Sequence, residues 1–359
     1  MIRALFFVVI IVALAGIVLS LLRRTPRVLV DRAGDDDTST QRALPAPAHT
    51  VLGRSATMRM LHELAFAAPL EAHVPADHVK VLSAVAGALH AAATDPKYAP
   101  RRPMLLPQLL RAVNDSDTTR RELAQMIARD PALVGSLLKL ANSPVYRRGN
   151  QPIESIERAL AVLGTQGARS LVAVALVQPV FRTSSNDATQ FPEIVWEHTY
   201  RAAAAAEVHA AAVEGSDLLA AQLVALVMGL GAIVVYRVVC DQYAARQLLP
   251  DPTAMASLLD EHTAAVAHRI ASSWELSERV LAALEEQQPN KLHEPESALG
   301  RSLRFGLLAG ALSVLRTHER IDDDVGLASL AAAGGPGARF ERLWGRLSWP
   351  EREQAPAGS

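Results

Sequence analysis

The sequence lacks the residues that several kinds of site require. It contains a single cysteine, Cys240, which excludes an internal disulfide and any zinc site built from several thiolates. Its formal net charge is −1, so no excess of basic residues indicates a nucleic-acid partner. We therefore expect no nucleic-acid binding, and we expect the lone thiol to be buried and unreactive.

Long hydrophobic runs are few, and the first lies at the N-terminus. Residues 4–22 carry no charge, and as a helix they would span roughly 28 Å, which matches the hydrocarbon core of a bilayer. Arg23, Arg24 and Arg27 follow directly, where a signal peptide would have a small-residue cleavage site. These arginines outnumber the charges before the run, so the positive-inside rule places the rest of the chain in the cytoplasm. The sequence predicts a single-pass membrane anchor over residues 1–23.

The remaining chain has the patterns of helices and linkers. Residues 24–54 mix acids, Ser, Thr, Pro and Gly without an apolar period, which predicts a flexible linker. Apolar residues recur at helical spacing over 55–96, which predicts a helical lead-in segment. Alanine-rich runs such as YRAAAAAEVHAAAV favour helix, and no alternating β-branched run indicates a strand. The predicted fold class is all-α.

A second apolar run, LVMGLGAIVVY at residues 226–236, admits three interpretations. As a glycine loop for a dinucleotide it fails, because Val234 stands where the third glycine of GxGxxG belongs and no strand precedes it. The apolar stretch from Leu218 to Tyr236 is long enough to cross a bilayer. A helix that is hydrophobic all round is also typical of the centre of a large bundle, and this interpretation is favoured.

The most specific local pattern begins at Asp130-Pro131, which supplies an acidic N-cap and a proline at the first helical position. A wide apolar face follows, and Pro144 ends the helix because the residue before proline avoids the helical region. The next predicted helix has one apolar stripe, made of Ile156, Ala159, Leu160 and Leu163.

The string DPALVGSLLKLANSPVY, followed by the pattern of Ile153, Ser155, Ala159 and Leu163-Gly164, closely resembles the HDOD domain. This domain is an all-helical relative of the HD and HD-GYP metal phosphohydrolases of bacterial signalling proteins. The resemblance implies a bundle of helices over residues 97–290, with a helical extension and tail over 291–359. It also implies a regulatory or scaffolding role in place of catalysis. Together with the predicted anchor, this places the protein at the inner membrane of a bacterium.

The catalytic relatives hold divalent metal ions with histidines and an adjacent His-Asp pair, and a metal-bound water is the nucleophile. By resemblance, Trp196-Glu197-His198 brings the first histidine. The run LVMGLGAI stands where relatives read LLHDIGKL, so Met228 and Gly229 occupy the positions of the pair. Further along the chain, the segment Glu261-His262-Thr263 resembles the one in which relatives have an Asp-His pair. The Glu and Gln residues of 285–288 stand where relatives have a double histidine.

The resemblance thus assigns His198, Met228, Gly229 and His262 to a vestigial metal site, with no metal, cofactor or catalytic residue expected. A thioether and a glycine cannot replace imidazole and carboxylate as ligands. Lone histidines on alanine-rich helices are usually partly buried with one hydrogen-bond partner, and we expect this of His198 and His262. Glu285 and Glu286 are expected to face water, because adjacent helical positions point about 100° apart.

The predicted function is a non-catalytic signalling scaffold that binds an unidentified partner protein. Asn142, Ser143 and Tyr146, at a turn, are the candidate contact residues, although the first two could instead satisfy the helix end. Two alternatives stay open: a divergent phosphohydrolase using His198, His262 and Glu286, and a receptor for a signalling nucleotide such as a cyclic dinucleotide. A homo-oligomer also stays open.

The C-terminal segment ARFERLWGRLSW is amphipathic. Phe340, Leu343, Trp344 and Leu347 share one face of a helix, while the arginines lie elsewhere. Such a segment could rest on an anionic membrane surface. Docking of the apolar face onto the protein's own bundle is the favoured prediction.

Overall fold

The computed structural model describes residues 31–32, 51–92, 95, 97–98, 153–163, 190–289, 294–334 and 338–348, with single positions between 124 and 141. The chain divides into two compact units. The larger unit comprises residues 28–99 and 183–348, and the smaller comprises 1–27, 100–182 and 349–359. The predicted anchor over 1–23 and the candidate contact residues Asn142, Ser143 and Tyr146 lie outside the described residues.

The described part of the larger unit is helical, which confirms the predicted all-α class. Its helices are α1 Arg54–Phe66, α2 Val79–Ala92, α3 Phe191–His209, α4 Leu218–Ala245, α5 Pro252–Ser273, α6 Glu278–Glu285, α7 Ala298–Thr317, α8 Asp323–Ala333 and α9 Glu341–Ser348. A 3₁₀ turn, Ala76–His78, precedes α2, and a π-helical turn, Ala210–Glu214, extends α3. Two-residue strands, β1 Asp31–Arg32 and β2 Ala338–Arg339, form one antiparallel pair.

Short polar side chains fix where four of these helices begin. Asp217 accepts hydrogen bonds from the backbone N–H groups of the first turn of α4, and Asp251 does the same for α5. Ser297 caps α7 and Asp322 caps α8 in the same way, at 2.9 and 2.8 Å. Each side chain satisfies a backbone donor that has no partner inside its own helix.

Small residues allow the central helices to approach closely. Helix α3 packs against α4 on one side and α7 on the other. A Cβ atom added to Gly310 of α7 would lie 2.7 Å from the backbone nitrogen of Ala202, and one added to Gly306 would lie 2.5 Å from the Ala202 carbonyl oxygen. The alanine run of α3 and the glycines of α7 therefore bring two backbones into contact, and only small residues fit between them.

Helix α4 contains the apolar run 226–236 and lies inside the bundle. Leu226, Val227, Leu230 and Val234 are fully buried, and Met228 is 7% exposed. Among the described residues, α4 and α7 are long and apolar enough to cross a membrane, and 89% and 83% of their apolar windows are buried within the protein. The prediction of a core helix is confirmed. Cys240, on the same helix, is only half-buried, so the expectation of a fully buried thiol is wrong.

The C-terminal helix α9 docks onto the bundle, as predicted. Phe340, Leu343, Trp344 and Leu347 are each at most 4% exposed. The Trp344 indole N–H donates to Asp323 Oδ1 at 3.0 Å, and the Ser313 hydroxyl donates to the Leu347 carbonyl at 2.8 Å. The apolar face is therefore covered by the protein itself.

In the smaller unit, residues 156–163 are helical. Ala159, Leu160 and Leu163 are buried and Ile156 is half-buried, which confirms the predicted stripe. Ser155 stands at the start of this helix, where its hydroxyl accepts from the backbone N–H of Arg158 at 3.2 Å.

Candidate functional site

A cavity of about 760 Å³ lies inside the larger unit. Helices α1, α3, α4, α5 and α7 and the segment after α6 form its walls. Its lining is apolar along α4 and much of α7, and it carries ionisable or hydrogen-bonding side chains on the other walls. These polar side chains include Arg54, His62, His198, Thr199, Asp260 and Arg304.

The cavity brings together three of the four positions assigned to a vestigial metal site. His198, Met228 and Gly229 all line it. His262 is not among the lining residues, and its Nε2 atom lies 3.9 Å from a carboxylate oxygen of its neighbour Glu261. The side chain of His262 is 19% exposed, so it is partly buried, as expected, but it does not face this cavity.

His198 has the environment that the sequence predicts for it. The residue is 8% exposed, and its Nε2 donates to the Leu307 carbonyl oxygen of α7 at 2.9 Å. Because a carbonyl can only accept, the proton of the neutral ring lies on Nε2. Burial lowers the pKa of His198 to about 4, although the Leu307 hydrogen bond opposes this, so the ring is neutral at pH 7.

Gly229 lies where α4 meets α3, and the side chain of Thr199 fills the space in front of it. A Cβ atom at position 229 would come closer than 3.0 Å to the Thr199 hydroxyl, methyl and Cβ. The Thr199 hydroxyl is held there because it donates to the Val195 carbonyl oxygen at 2.7 Å. Any side chain at position 229, a carboxylate included, would require Thr199 to move.

The segment 285–288 differs in part from expectation. Glu285 is exposed, as predicted, but the prediction that Glu286 faces water is wrong. Its carboxylate accepts from the Ser297 hydroxyl at 2.7 Å and from the Ser297 backbone N–H at 3.1 Å. The physical reason is local, since Ser297 caps α7 and the carboxylate holds the cap in place. Gln287 is buried and donates to the carbonyl oxygens of Ala283 and Gly300.

The three residues of the divergent phosphohydrolase alternative do not meet in this cavity. His198 lines it, whereas His262 and Glu286 are absent from its walls. Within the part of the chain that the structure describes, no group of three or more His, Cys, Asp or Glu side chains could hold one metal ion.

Helix α1 contributes residues that the sequence reasoning missed. Arg54, Met58 and His62 recur every fourth residue on one face and line the cavity together. This spacing is visible in the sequence, but the sequence does not show whether the lead-in segment belongs to the main domain. Helix α1 forms a wall of the cavity because it packs against α3 and α7, which are distant from it in the sequence.

Arg54 is the first residue of α1 and is half-buried at the cavity wall. Its guanidinium donates no hydrogen bond to any described residue. Burial lowers the pKa of Arg54, and the positive charge of Arg304 lowers it further, while Asp260 and Glu294 oppose the change. Both arginines line the cavity, and their positive charges oppose each other.

Arg304 is held in place by hydrogen bonds to its surroundings. Its guanidinium donates to the Glu286 carbonyl at 3.1 Å, to Glu294 Oε2 at 3.1 Å and to Gln287 Oε1 at 3.4 Å. The Glu294 side chain is 86% exposed, so this ion pair is open to water and weak.

His62 and Asp260 both line the cavity, and His62 Nδ1 lies 3.8 Å from Asp260 Oδ1. The His62 side chain is 7% exposed, and its Nδ1 has no hydrogen-bond partner in the described part of the chain. Burial lowers the pKa of His62 to about 4. Restricted hydration raises the pKa of Asp260 to about 6, opposed by Arg54, although 59% of its side chain is exposed. At pH 7 the imidazole is neutral and the carboxylate is ionised.

Comparison with solved structures shows the class of fold. A protein from Shewanella amazonensis, provisionally named a metal-dependent phosphohydrolase, is similar at 20% identity, with 75% of this chain and 98% of that chain covered and a TM-score of 0.51. An HDOD domain protein of unknown function from Geobacter sulfurreducens is similar at 18% identity, with 74% and 92% covered and a TM-score of 0.51. At these identities the likeness concerns the fold alone.

The family follows from the sequence itself. Residues 99–289 match the HDOD domain, and the chain belongs to this family. The chain matches none of the curated proteins with which it was compared.

Proposed function

We propose that the protein is a regulatory member of the HDOD family that acts in bacterial signalling by binding a partner protein, without catalysis. Its N-terminal residues 1–23 would anchor it in the inner membrane, with the helical domain in the cytoplasm. The observation that carries the proposal is the pair Met228 and Gly229 at the wall of the cavity, on the buried helix α4.

The chemistry of these two positions supports a non-catalytic role. A thioether is a poor ligand for Mg, Mn or Fe ions, and glycine supplies none. The space at Gly229 is already taken by Thr199, whose hydroxyl is bonded within α3. The Nε2–H group of His198 donates to the Leu307 carbonyl oxygen, so this histidine has a structural hydrogen-bond partner.

A hydrolysis assay tests this absence of catalysis. The purified full-length protein is incubated with Mn²⁺ or Fe²⁺ and with a signalling nucleotide such as a cyclic dinucleotide. We expect no metal-dependent product. Metal-dependent turnover that disappears in His198→Ala would contradict the proposal and make the divergent phosphohydrolase the better account.

The partner contact is proposed at Asn142, Ser143 and Tyr146. Cross-linking in native membranes followed by mass spectrometry identifies the partner, and the triple alanine variant is then compared with the wild type. We expect capture of the partner to fall at least tenfold with an unchanged Tm. A matched control, Glu154→Ala with Glu157→Ala and Arg158→Ala, changes three exposed residues of the same unit and should leave capture unchanged. Full capture by the 142–146 variant would reject this contact.

The size of the cavity favours a second candidate function, that of a receptor for a signalling nucleotide. Small-molecule sites in proteins commonly have volumes of about 300–1,000 Å³, and this cavity has about 760 Å³. Binding of a cyclic dinucleotide without hydrolysis distinguishes a receptor from an enzyme.

A further inference from the structure

The cavity is lined by arginines and by carboxylates, and Arg54 is the arginine without a described hydrogen-bond partner. Arg54 lines it and uses none of its five N–H donors on a described residue. The residue is only half-buried, so these N–H groups can reach water or a ligand. The donors of Arg54 are therefore available to an acceptor inside the cavity.

Arg304 adds a second guanidinium to the same cavity. Its bonds to the Glu286 carbonyl and to Gln287 Oε1 fix its position before any ligand arrives. A rigid guanidinium loses little conformational entropy on binding, and guanidinium groups match the two oxygens of a carboxylate or a phosphate.

Apolar side chains also line the cavity. Met228, Leu307, Leu308 and Val195 line the cavity and are each only 7–9% exposed. Met58 of α1 faces the same space, one helical turn from Arg54. Such a wall suits a small apolar group, since burying it removes apolar surface from water.

We propose that this cavity binds a small organic anion, whose oxyanion head is bound by Arg54 beside Arg304 and whose apolar body packs against Met58, Met228 and Leu307. The ligand class is thus an amphiphilic carboxylate or phosphate ester. This site is separate from the 142–146 contact proposed for the partner protein, so either proposal can fail without the other.

Asp260, Glu71 and Glu261 are the carboxylates that line the cavity, and Asp260 is the one that interacts with Arg54. Its carboxylate faces the cavity and is near enough to Arg54 to interact with it electrostatically. It repels an anionic head and competes with it for Arg54. Removing this charge therefore strengthens binding, an effect that a loss of folding cannot imitate.

Calorimetric titration tests the ligand class. The full-length protein in nanodiscs is titrated with 4-phenylbutyrate and with phenyl phosphate, and empty nanodiscs serve as the blank. Phenylethylamine and phenylethanol are matched probes with a cationic and a neutral head. We expect at least one of the two anions to bind ten times or more tightly than either control, and the preferred anion identifies the head as carboxylate or phosphate. Equal binding of all four probes, or binding of none, would overturn the proposal.

Three variants test the assigned residues with the tighter anion as probe. Arg54→Gln should weaken binding at least tenfold, and Asp260→Asn should strengthen it several-fold. The control Arg246→Gln removes an exposed arginine outside the cavity and should have no effect. Unchanged affinity in Arg54→Gln, or weaker binding in Asp260→Asn, contradicts the assignment.

Met58→Trp keeps the proposal testable if Arg54→Gln does not fold. This change leaves every charge in place and fills the cavity next to Arg54. We expect it to abolish binding of the anion, and retained binding would place the ligand elsewhere.

Discussion

At the residue scale, a few contacts decide what the cavity can do. Helix α4 presents Met228 and Gly229 where the resemblance requires a histidine and an aspartate, and Thr199 has taken up the space in front of Gly229. The neighbouring His198 has its proton fixed on Nε2 by the Leu307 carbonyl. Position 229 is therefore closed by the packing of α3 against α4, and an aspartate there would disturb this contact.

Gly229→Ala tests how tightly this contact is packed. The added Cβ would lie closer than 3.0 Å to three atoms of Thr199, so we expect a loss of about 1–3 kcal/mol in the free energy of unfolding. Urea denaturation measures it. The matched control is Gly87→Ala, an exposed helical position with no heavy atom within 4 Å of the new Cβ, which should gain up to about 1 kcal/mol.

The double variant Gly229→Ala with Thr199→Ala identifies the cause. It removes the Thr199 hydroxyl and methyl that the new Cβ would meet, so part of the lost stability should return. A Gly229→Ala variant as stable as the wild type would show that Thr199 moves freely and that the position is not closed.

The sequence predicted the environment of His198 correctly and that of Glu286 wrongly, and it indicated no role for Arg54, for a physical reason. A histidine among alanines on a buried helix has few available environments, and its single hydrogen bond was foreseeable. Glu286 depends on the cap of another helix, and Arg54 depends on the docking of α1 against α3 and α7. Such contacts are set by tertiary packing, which residue patterns do not encode locally.

At the element scale, helix α3 connects the bundle through a buried ionic network. The Arg201 side chain is 2% exposed and donates to the Ser313 carbonyl, the Ser313 hydroxyl and the Thr317 hydroxyl of α7, at 2.7–2.8 Å. Arg201 also pairs with Glu197, one turn earlier on α3. Burial raises the pKa of Glu197, but His318 and Arg201 outweigh it, so the net shift is downward and the carboxylate is ionised at neutral pH.

Arg201→Met should destabilise the bundle by about 3–5 kcal/mol, because it removes one of the two partners of the largely buried Glu197 carboxylate, the other being His318, and breaks three hydrogen bonds to α7. The matched control is Arg279→Met, which breaks a pair with Asp217 in which the arginine is 65% exposed. That change should cost at most about 1 kcal/mol. Equal losses in the two variants, measured by chemical denaturation, would mean that the α3–α7 network adds nothing beyond a surface ion pair.

The elements also show which sequence patterns were sufficient. The amphipathic pattern of α9 predicted its docked face, and the all-round apolar pattern of α4 predicted a central helix. Hydropathy alone cannot distinguish α4 from a membrane span, since both have the same length and composition. The resemblance was needed to favour burial.

At the scale of the whole molecule, buried histidines make stability depend on pH. Burial lowers the pKa of His62, His198 and His209 to about 4, from an ordinary value of 6.5. Each ring is neutral in the fold, whereas in the unfolded chain it takes up a proton as the pH falls below 6.5. The stability that these rings allow is thus fully present above pH 6.5 and is lost progressively towards pH 4.

We therefore expect the free energy of unfolding to fall as the pH is lowered from 7 towards 4. Each histidine should contribute a loss of up to about 3 kcal/mol by pH 4. Asp260 acts in the opposite direction, because its pKa is raised, but its exposed side chain limits the effect. Urea denaturation at several pH values measures the slope. His209→Gln should reduce the slope, and the exposed His90→Gln is the control. A flat or rising stability on acidification would contradict this.

The arrangement of the chain in the membrane remains a prediction from sequence. The domain boundaries at 23, 54, 96 and 290 and the anchor over 1–23 rest on composition, charge and resemblance. Protease protection in sealed inverted membrane vesicles tests the topology. We expect the domain after the anchor to be digested in inverted vesicles and protected in right-side-out cells, and the reverse pattern would contradict a cytoplasmic domain.

The central claim is that the protein has the fold of a metal phosphohydrolase, with Met228 and Gly229 of α4 in place of the metal-binding pair. Metal stoichiometry tests this claim most directly. The full-length protein is incubated with Mn²⁺ and Fe²⁺, freed of loosely bound ions and analysed by elemental mass spectrometry, with His198→Ala in parallel. We predict well under one ion per chain and the same content in both proteins. One or two ions per wild-type chain that are lost in His198→Ala would contradict the claim and restore the divergent phosphohydrolase.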